Sequence, residues 1–287
     1  MSGMKHRTGT GFSLIELIVV ITIMGILALI IPTIIRGPLR AYVQVQQRAD
    51  LAAIADTALQ RMTREIRLAL PNSIRISGGN AVEFLRTLDG GRYRLQPAPG
   101  PTGNVLDFSA QTGTFDFLGP LNNQAQIDAT GAVTGQGDCF NNTVDCLVIF
   151  NTGQAGANAW QGDNIAAITA VGAGSLSFNL APVTHFPYQS PRQRFFVVDT
   201  PVSFICDTGS GRITRYSDYT IAAAQPTVAA PPAGGNLLVD DISACDFSYD
   251  PGSATRAGMV TLSITVTKPG LGEQVSILQQ VHVPNQP

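Results

Sequence analysis

Residues 11–35, GFSLIELIVVITIMGILALIIPTII, form an apolar run close to the start of the chain. Within it, the 19 residues at positions 17–35 carry no charge, and Glu16 immediately precedes them. An α-helix rises about 1.5 Å per residue, so these residues span about 28 Å, close to the hydrocarbon thickness of a bilayer. The sequence therefore predicts a single transmembrane helix over residues 12–35.

This run differs from an ordinary secretory signal peptide. The apolar core of such a peptide has about 7–15 residues and is followed by a cleavage site of small residues. Here the run is longer, no Ala-x-Ala follows it, and the small residues Gly9, Thr10 and Gly11 precede it. Cleavage at those small residues would leave the apolar helix on the mature protein.

Residues 11–16, Gly-Phe-Ser-Leu-Ile-Glu, resemble the type III signal of type IV prepilins and type II secretion pseudopilins. The shared features are a glycine, then an aromatic and a hydroxyl residue, and a glutamate four residues after the aromatic. The resemblance implies that a prepilin peptidase cuts between Gly11 and Phe12 and then N-methylates Phe12. Residues 1–11 are therefore expected to be a leader peptide.

The same resemblance implies an assembly role for Glu16. A carboxylate at the edge of an apolar helix costs free energy unless it is paired. In this family the partner is thought to be the N-terminal amine of a neighbouring subunit; the alternative is an interfacial glutamate that faces water. Because the family's peptidase acts on the cytoplasmic side, the resemblance also implies a single-pass inner-membrane protein. Its N-terminus would be cytoplasmic before processing, and its head periplasmic and later part of a pilus at the cell surface.

Residues 36–70 are expected to continue the helix as an amphipathic segment that Pro71 terminates. Apolar residues recur there at steps of three and four, which is the helical period. They are Leu51, Ile54, Ala58, Met62, Ile66 and Ala69. We expect this stripe to pack against the rest of the protein, the alternative being an amphipathic helix on the membrane surface.

Residues 71–287 are predicted to form a β-rich globular head. The apolar period changes to two, most clearly in residues 259–267, with residues 275–283 as the antiparallel partner. The predicted fold class is α+β, a long N-terminal helix packed on a mostly antiparallel sheet, as in type IV pilins.

Two hairpins are expected early in the head. The first joins residues 81–85 to 92–95 through Asp89-Gly90-Gly91, because glycine pairs favour tight turns. The second joins residues 105–109 to 114–118. Residues 222–235, AAAQPTVAAPPAGG, are of low complexity and are expected to be a flexible excursion.

The four cysteines predict two disulfides in a chain that is exported. Three connectivities are open, and we favour Cys139–Cys146 and Cys206–Cys245 because these partners are nearest in sequence. Buried free thiols are the alternative. The cysteines and histidines show no metal-ligand spacing, so no metal and no cofactor are expected.

Catalysis is not expected from this sequence. Asp207-Thr208-Gly209 resembles an aspartic-protease loop, but that chemistry needs a second aspartate, so a turn explains it better. Four acids near Cys245 would make a calcium site conceivable, although solvated loop residues explain them better: Asp240, Asp241, Asp246 and Asp250. The net charge of −2 provides no global field for nucleic acid.

Later motifs narrow the resemblance within the pilin class. Residues 58–75, 206–216, 244–249 and 280–284 resemble minor pilins of the J type and, more closely, O-type minor pilins of the mannose-sensitive haemagglutinin (MSHA) pilus system. This implies a low-copy structural protein in pilus assembly or initiation, with other minor and major pilins as partners. The alternatives are a J-like pseudopilin of type II secretion and a tip module that binds glycan or DNA. The aromatic candidates for such binding are Trp160, Phe186, Tyr188 and Tyr219.

Overall fold

The computed structural model describes residues 13–97, 103–252, 256–268 and 273–287. Its first element is the helix α1, Leu14–Ile66, which contains Pro32 and Pro38. Contacts divide the chain into two units, Met1–Asp50 and Leu51–Pro287. The second unit, called the head below, contains the last turns of α1 and all of the strands. The α+β class predicted from the sequence is confirmed.

The head contains one short second helix and twelve strands within the described residues. In chain order after α1 they are β1 (Arg75–Ser77), β2 (Ala81–Tyr93), β3 (Thr112–Leu118), α2 (Gln136–Phe140), β4 (Cys146–Ile149), β5 (Ile165–Val171), β6 (Ser175–Asn179), β7 (Arg194–Asp207), β8 (Arg212–Ser217), β9 (Asn236–Val239), β10 (Ile242–Asp250), β11 (Gly258–Thr267) and β12 (Gln274–Val283).

Nine strands form a sheet that partly closes on itself. Their order is β1-β2-β3-β6-β5-β4-β7-β8-β9, and β2 also pairs with β7. This extra pairing joins β2, β3, β6, β5, β4 and β7 into a closed antiparallel circuit, called the six-stranded ring below. Strands β10, β11 and β12 form a separate antiparallel sheet.

Strands β2 and β7 belong to both parts of the head. Their segments 81–85 and 201–205 pair beside β1 and β8, whereas their segments 90–92 and 194–196 pair within the ring. Residues 94–193 are therefore an insertion between two strands of one antiparallel pair. Because both strands run without interruption from one part to the other, the two parts share a continuous backbone framework.

Alternating side chains of the ring strands separate two cores. In β4, Leu147 and Ile149 join a core to which all six ring strands contribute, so this core fills the ring interior. Cys146 and Val148 of the same strand point to the other face, where they pack with residues of α2 and with Trp160. This two-sided burial explains why β4 is apolar at every position.

A third core joins α1 to both sheets. One stripe of the helix is buried there, and it consists of Leu51, Ala55, Ala58, Leu59, Met62 and Ile66. The stripe differs from the predicted one at Ile54, which is exposed, while Ala55 and Leu59 are buried. Alternate residues of β11 complete the core, as the predicted period of two requires.

The predicted hairpin around Gly90-Gly91 is wrong. Residues 81–93 form the single strand β2, and Gly91 lies directly opposite Phe195 of β7. A Cβ added at Gly91 would lie 2.8 Å from Cε1 of the Phe195 ring. The glycine is therefore required for close packing under an aromatic ring, and not for a turn.

The second expected hairpin is also wrong. Residues 105–109 are not a strand, because the Asp107 carboxylate accepts hydrogen bonds from the amide and hydroxyl of Ser109 and closes a local turn.

Strand β7 continues through a proline. Pro201 is accommodated there beside an irregularity in the β2–β7 register.

The excursion at residues 222–235 is anchored at its start. The Arg75 guanidinium donates hydrogen bonds to the carbonyl oxygens of Ala222, Ala223 and Ala224, at 2.8, 2.7 and 3.2 Å. Gln225 donates from its amide to the carbonyls of Arg75 and Ala81. This part of the low-complexity stretch is thus held against the head, contrary to the expectation of flexibility.

Both disulfides join the pairs favoured by the sequence. Cys139–Cys146 links α2 to β4, and Cys206–Cys245 links β7 of the large sheet to β10 of the small one. The second bond therefore covalently joins the two sheets that enclose the core beside α1. Linking them in this way limits the conformations of the unfolded chain.

The close packing of Gly91 under the Phe195 ring can be tested by adding one methyl group at position 91. We expect Gly91→Ala to lower the free energy of unfolding by about 1–3 kcal/mol, because the new Cβ must displace the Phe195 ring. Urea unfolding of the detergent-solubilised protein measures this. Gly174→Ala is the control, since an added Cβ there meets nothing within 4 Å. Equal stability of the two variants would contradict the packing seen at Gly91.

A buried carboxyl group makes the stability of the head dependent on pH. Asp145 is only 6% exposed, and its Oδ2 accepts a hydrogen bond from the Asp128 amide at 2.8 Å. The pKa of Asp145 is raised to about 7, mainly by burial and to a smaller extent by the charges of Asp199 and Asp128. The Asp128 amide and Arg86 act in the opposite direction without cancelling the effect of burial.

Because the pKa of Asp145 is higher in the folded state, the folded protein binds more protons between about pH 4 and 7. The free energy of unfolding should therefore fall over that range as pH rises, by no more than about 4 kcal/mol from this residue. In Asp145→Asn we expect this part of the decline to disappear in urea titrations at about pH 4.5 and 8. An unchanged pH dependence in the variant would show that Asp145 is not the group responsible.

Candidate processing and assembly site

The first turns of α1 expose an apolar surface on every side. Each large aliphatic side chain between Leu14 and Ile35 is at least 39% exposed. The helix has a window of 18 residues with a mean hydropathy of 3.0, of which none is buried. Soluble proteins rarely expose such a continuous apolar surface, so this segment requires a membrane or other helices around it.

The composition of residues 17–35 favours a membrane as the first environment. Thirteen of them are Leu, Ile or Val. At about 0.3–0.6 kcal/mol each, these side chains favour insertion by roughly 4–8 kcal/mol. No charged residue opposes this within the run, and the exposed Arg36 and Arg40 follow it directly. The segment therefore suits single-pass anchoring in a membrane.

Glu16 lies in the first turn of α1 and is exposed. A negative charge at this end of a helix interacts favourably with the unpaired backbone N–H groups. The helix begins beside it, where the Leu17 amide donates to the Ser13 carbonyl at 3.2 Å. Gly11 and Phe12 lie outside the described residues. Of the three predicted site residues, the structure therefore describes Glu16 alone.

An ion pair fixes the last turns of α1 to the sheet. Arg215 Nε of β8 donates to both carboxylate oxygens of Glu65, at 2.9 and 2.8 Å. Arg215 Nη1 also donates to the Ser217 hydroxyl. No sequence pattern indicates this pair, because its partners are 150 residues apart in the chain.

Two of the aromatic residues proposed for ligand stacking are wrong candidates. Phe186 is buried in the ring core, and Trp160 is 93% buried beside α2. The Trp160 indole donates to the Ser73 carbonyl at 2.8 Å, and the Arg75 guanidinium lies 3.7 Å from the centroid of its ring. Neither face of this indole is therefore open to a base or a sugar.

The two tyrosines differ from each other. Tyr188 is 52% exposed and contacts the Phe150 ring edge-on at a centroid distance of 6.4 Å. Tyr219 is partly buried, and its hydroxyl donates to Glu83 at 2.8 Å. Burial raises the pKa of Glu83, and the hydrogen bonds from Arg75 and Tyr219 oppose that rise. Tyr219 therefore supports a buried carboxylate and does not face solvent as a binding residue.

Asp207 and Asp250, which were considered above for proteolysis and calcium binding, make structural contacts. The Asp207 carboxylate accepts from the Gly209 amide at 2.9 Å and closes the turn between β7 and β8. The Asp250 carboxylate pairs with Arg256. Across the parts of the chain that the structure describes, no group of three or more metal-ligating side chains is present.

Comparison with known proteins identifies the N-terminal segment. Residues 7–32 match the family model described as the prokaryotic N-terminal methylation motif. No curated protein and no solved structure matches the chain. The motif supports a type IV pilin-like or pseudopilin protein, a class whose members are structural proteins processed by prepilin peptidase. It also suits single-pass anchoring in the inner membrane.

Proposed function

We propose that this protein is a minor pilin or pseudopilin that takes part in assembling or initiating a type IV pilus of the MSHA kind. The observation that carries the proposal is the methylation motif at residues 7–32, which overlaps an exposed helix that carries Glu16 in its first turn and no charge from residue 17 to residue 35. Processing between Gly11 and Phe12 would leave residues 12–287 as the mature chain. Its head would then lie in the periplasm until the subunit leaves the membrane.

In this proposal the apolar part of α1 first anchors the protein in the membrane and later packs in the filament. In the membrane, lipid covers the aliphatic side chains of residues 17–35. In a filament, the same side chains would pack against the helices of neighbouring pilins. Moving from one environment to the other keeps them out of water, so it costs little hydrophobic free energy.

Glu16 would decide the register of that packing. Its carboxylate would pair with the N-terminal amine of Phe12 in a neighbouring subunit, which processing creates. An unpaired carboxylate in a filament core costs several kcal/mol, and pairing with an amine offsets much of that cost. Only one axial offset between subunits allows the pair to form.

The size of the head supports a low-copy position near the tip of the filament. Residues 94–193 add four strands, β3 to β6, which complete the six-stranded ring, and most of the residues of its two cores. A head enlarged in this way limits how closely identical subunits can pack around a shaft. At the tip, fewer neighbours surround each subunit, and this bulk is tolerated.

A J-like pseudopilin of type II secretion is the alternative within the same class. The sequence motifs of residues 58–75 are common to both, and the helix would serve both machines in the same way. The tip-module alternative has less support, because Trp160 and Phe186 are buried. We therefore place the function in assembly and not in ligand recognition by these aromatics.

The proposal is tested by separating membrane insertion from assembly. We expect Glu16→Leu to remain in the inner membrane and to be processed, yet to be lost from sheared filaments by about tenfold or more, because the register pair is missing. Thr22→Leu is the control, since it adds a similar side chain within the same run without removing a charge.

Immunoblots of membrane and filament fractions from cells that carry each variant give the comparison. Normal incorporation of Glu16→Leu would contradict the assembly role of this residue. Loss of both variants from filaments would mean that the apolar surface is decisive and not the charge, which also contradicts it.

A further inference from the structure

A cleft of about 500 Å³ lies on the head where the chain leaves α1 and passes β2 and β7. It is lined by residues 67–69, 87–92 and 194–196, together with Pro71, Pro284 and Gln286. Its volume is within the range of about 300–1,000 Å³ that is usual for ligand sites. No step of the proposed assembly function uses this cleft.

Two arginines of the cleft face each other across the strands. Arg92 of β2 and Arg194 of β7 are direct partners in the antiparallel register. Side chains in such a pair lie on the same face of the sheet, with Cβ atoms about 4.5–5.5 Å apart, and like charges there are destabilising. A head optimised for stability alone would not contain this pair.

No acid neutralises these charges within the described residues. The Arg194 guanidinium donates to the Gln286 carbonyl oxygen at 3.2 Å, and Arg92 and Arg67 pair with no carboxylate there. The acid that lines the cleft is Asp89. Its two oxygens already accept from the amides of Gly90 and Asn123, at 2.8 and 2.7 Å. The cleft thus presents three guanidinium groups that can take an external anion.

Apolar groups line the cleft beside the guanidinium groups. Leu68 is 48% exposed, and Leu88, Phe196 and Pro284 complete this part of the lining. Thr87 also lines the cleft, and its buried hydroxyl has no hydrogen-bond partner among the described residues. A ligand that fits these surroundings combines carboxylates with apolar side chains.

The charge of the whole head argues against a long polyanion. Residues 51–287 contain 18 acidic and 13 basic residues, a net charge of −5. Nucleic acid would be repelled by that field, since its binding depends on many phosphate contacts over a wide surface. A short segment with a few carboxylates meets only the local arginines, and guanidinium binds carboxylate through two parallel hydrogen bonds.

We propose that this cleft binds an acidic peptide segment of another protein. Carboxylates of the segment bridge Arg92, Arg194 and Arg67, and an apolar side chain packs between Leu68 and Phe196. Carboxylates of the ligand offset the repulsion between Arg92 and Arg194. Repulsion lowers the stability of the protein without ligand, and binding restores that stability.

The probe is a short fluorescein-labelled peptide that alternates glutamate with leucine, added to the full-length protein in nonionic detergent. We expect saturable binding that weakens as salt is added, and much weaker binding of a matched peptide with glutamine in place of glutamate. We expect Arg92→Gln to reduce the affinity by about tenfold or more and at the same time to raise Tm. Arg212→Gln, an exposed arginine on β8, is the control and should change the affinity by less than about twofold.

Each other result contradicts the proposal. Absence of saturable binding up to about 1 mM peptide would exclude a specific site. Equal affinity for the glutamine peptide, or unchanged affinity in Arg92→Gln, would show that the arginines do not bind the probe. A lower Tm in Arg92→Gln would show that this residue serves the fold. Displacement of the peptide by single-stranded DNA at lower concentration would assign the cleft to a polyanion.

Discussion

The exposed apolar surface of α1 is the constraint on which the organisation of this protein depends. The side chains of residues 17–35 cannot remain in water, so lipid or other apolar helices must cover this part of the helix. The rest of the chain has to fold without help from that segment. Of helix α1, the stripe from Leu51 to Ile66 alone is buried against the sheets. Anchoring and folding are thereby separated along one continuous helix.

The β2–β7 pair determines how the head is built. Both strands run through the core beside α1 and then into the six-stranded ring, so the insertion at residues 94–193 shares their backbone hydrogen bonds. This explains why no linker composition marks the insertion in the sequence. The same pair places Arg92 opposite Arg194, and the cleft beside α1 is a direct result of that register.

The sequence predicted those parts of the structure that depend on residues close to one another in the chain. The apolar run, the period of two in β11 and the amphipathic stripe of α1 depend on neighbouring residues, and all three appear in the structure. Gly90-Gly91 was misread because a glycine pair favours a turn locally, whereas here a phenylalanine more than 100 residues later needs the space. Long-range pairs such as Glu65–Arg215 leave no trace in a single sequence.

The functional residues divide in the same way into those that sequence could locate and those that only the fold brings together. Glu16 and the helix could be located from sequence because the methylation motif at residues 7–32 is a short linear pattern that does not depend on the fold. The arginine cleft could not, since Arg67, Arg92 and Arg194 come together only through the fold.

The central claim is that a peptidase removes the first eleven residues and leaves the apolar helix on the mature protein. N-terminal and intact-mass analysis of the membrane-extracted protein tests it most directly. The account predicts a chain that begins at Phe12 and carries one methyl group on its amine. A chain that keeps residues 1–11, or one that has lost the apolar helix, would contradict it.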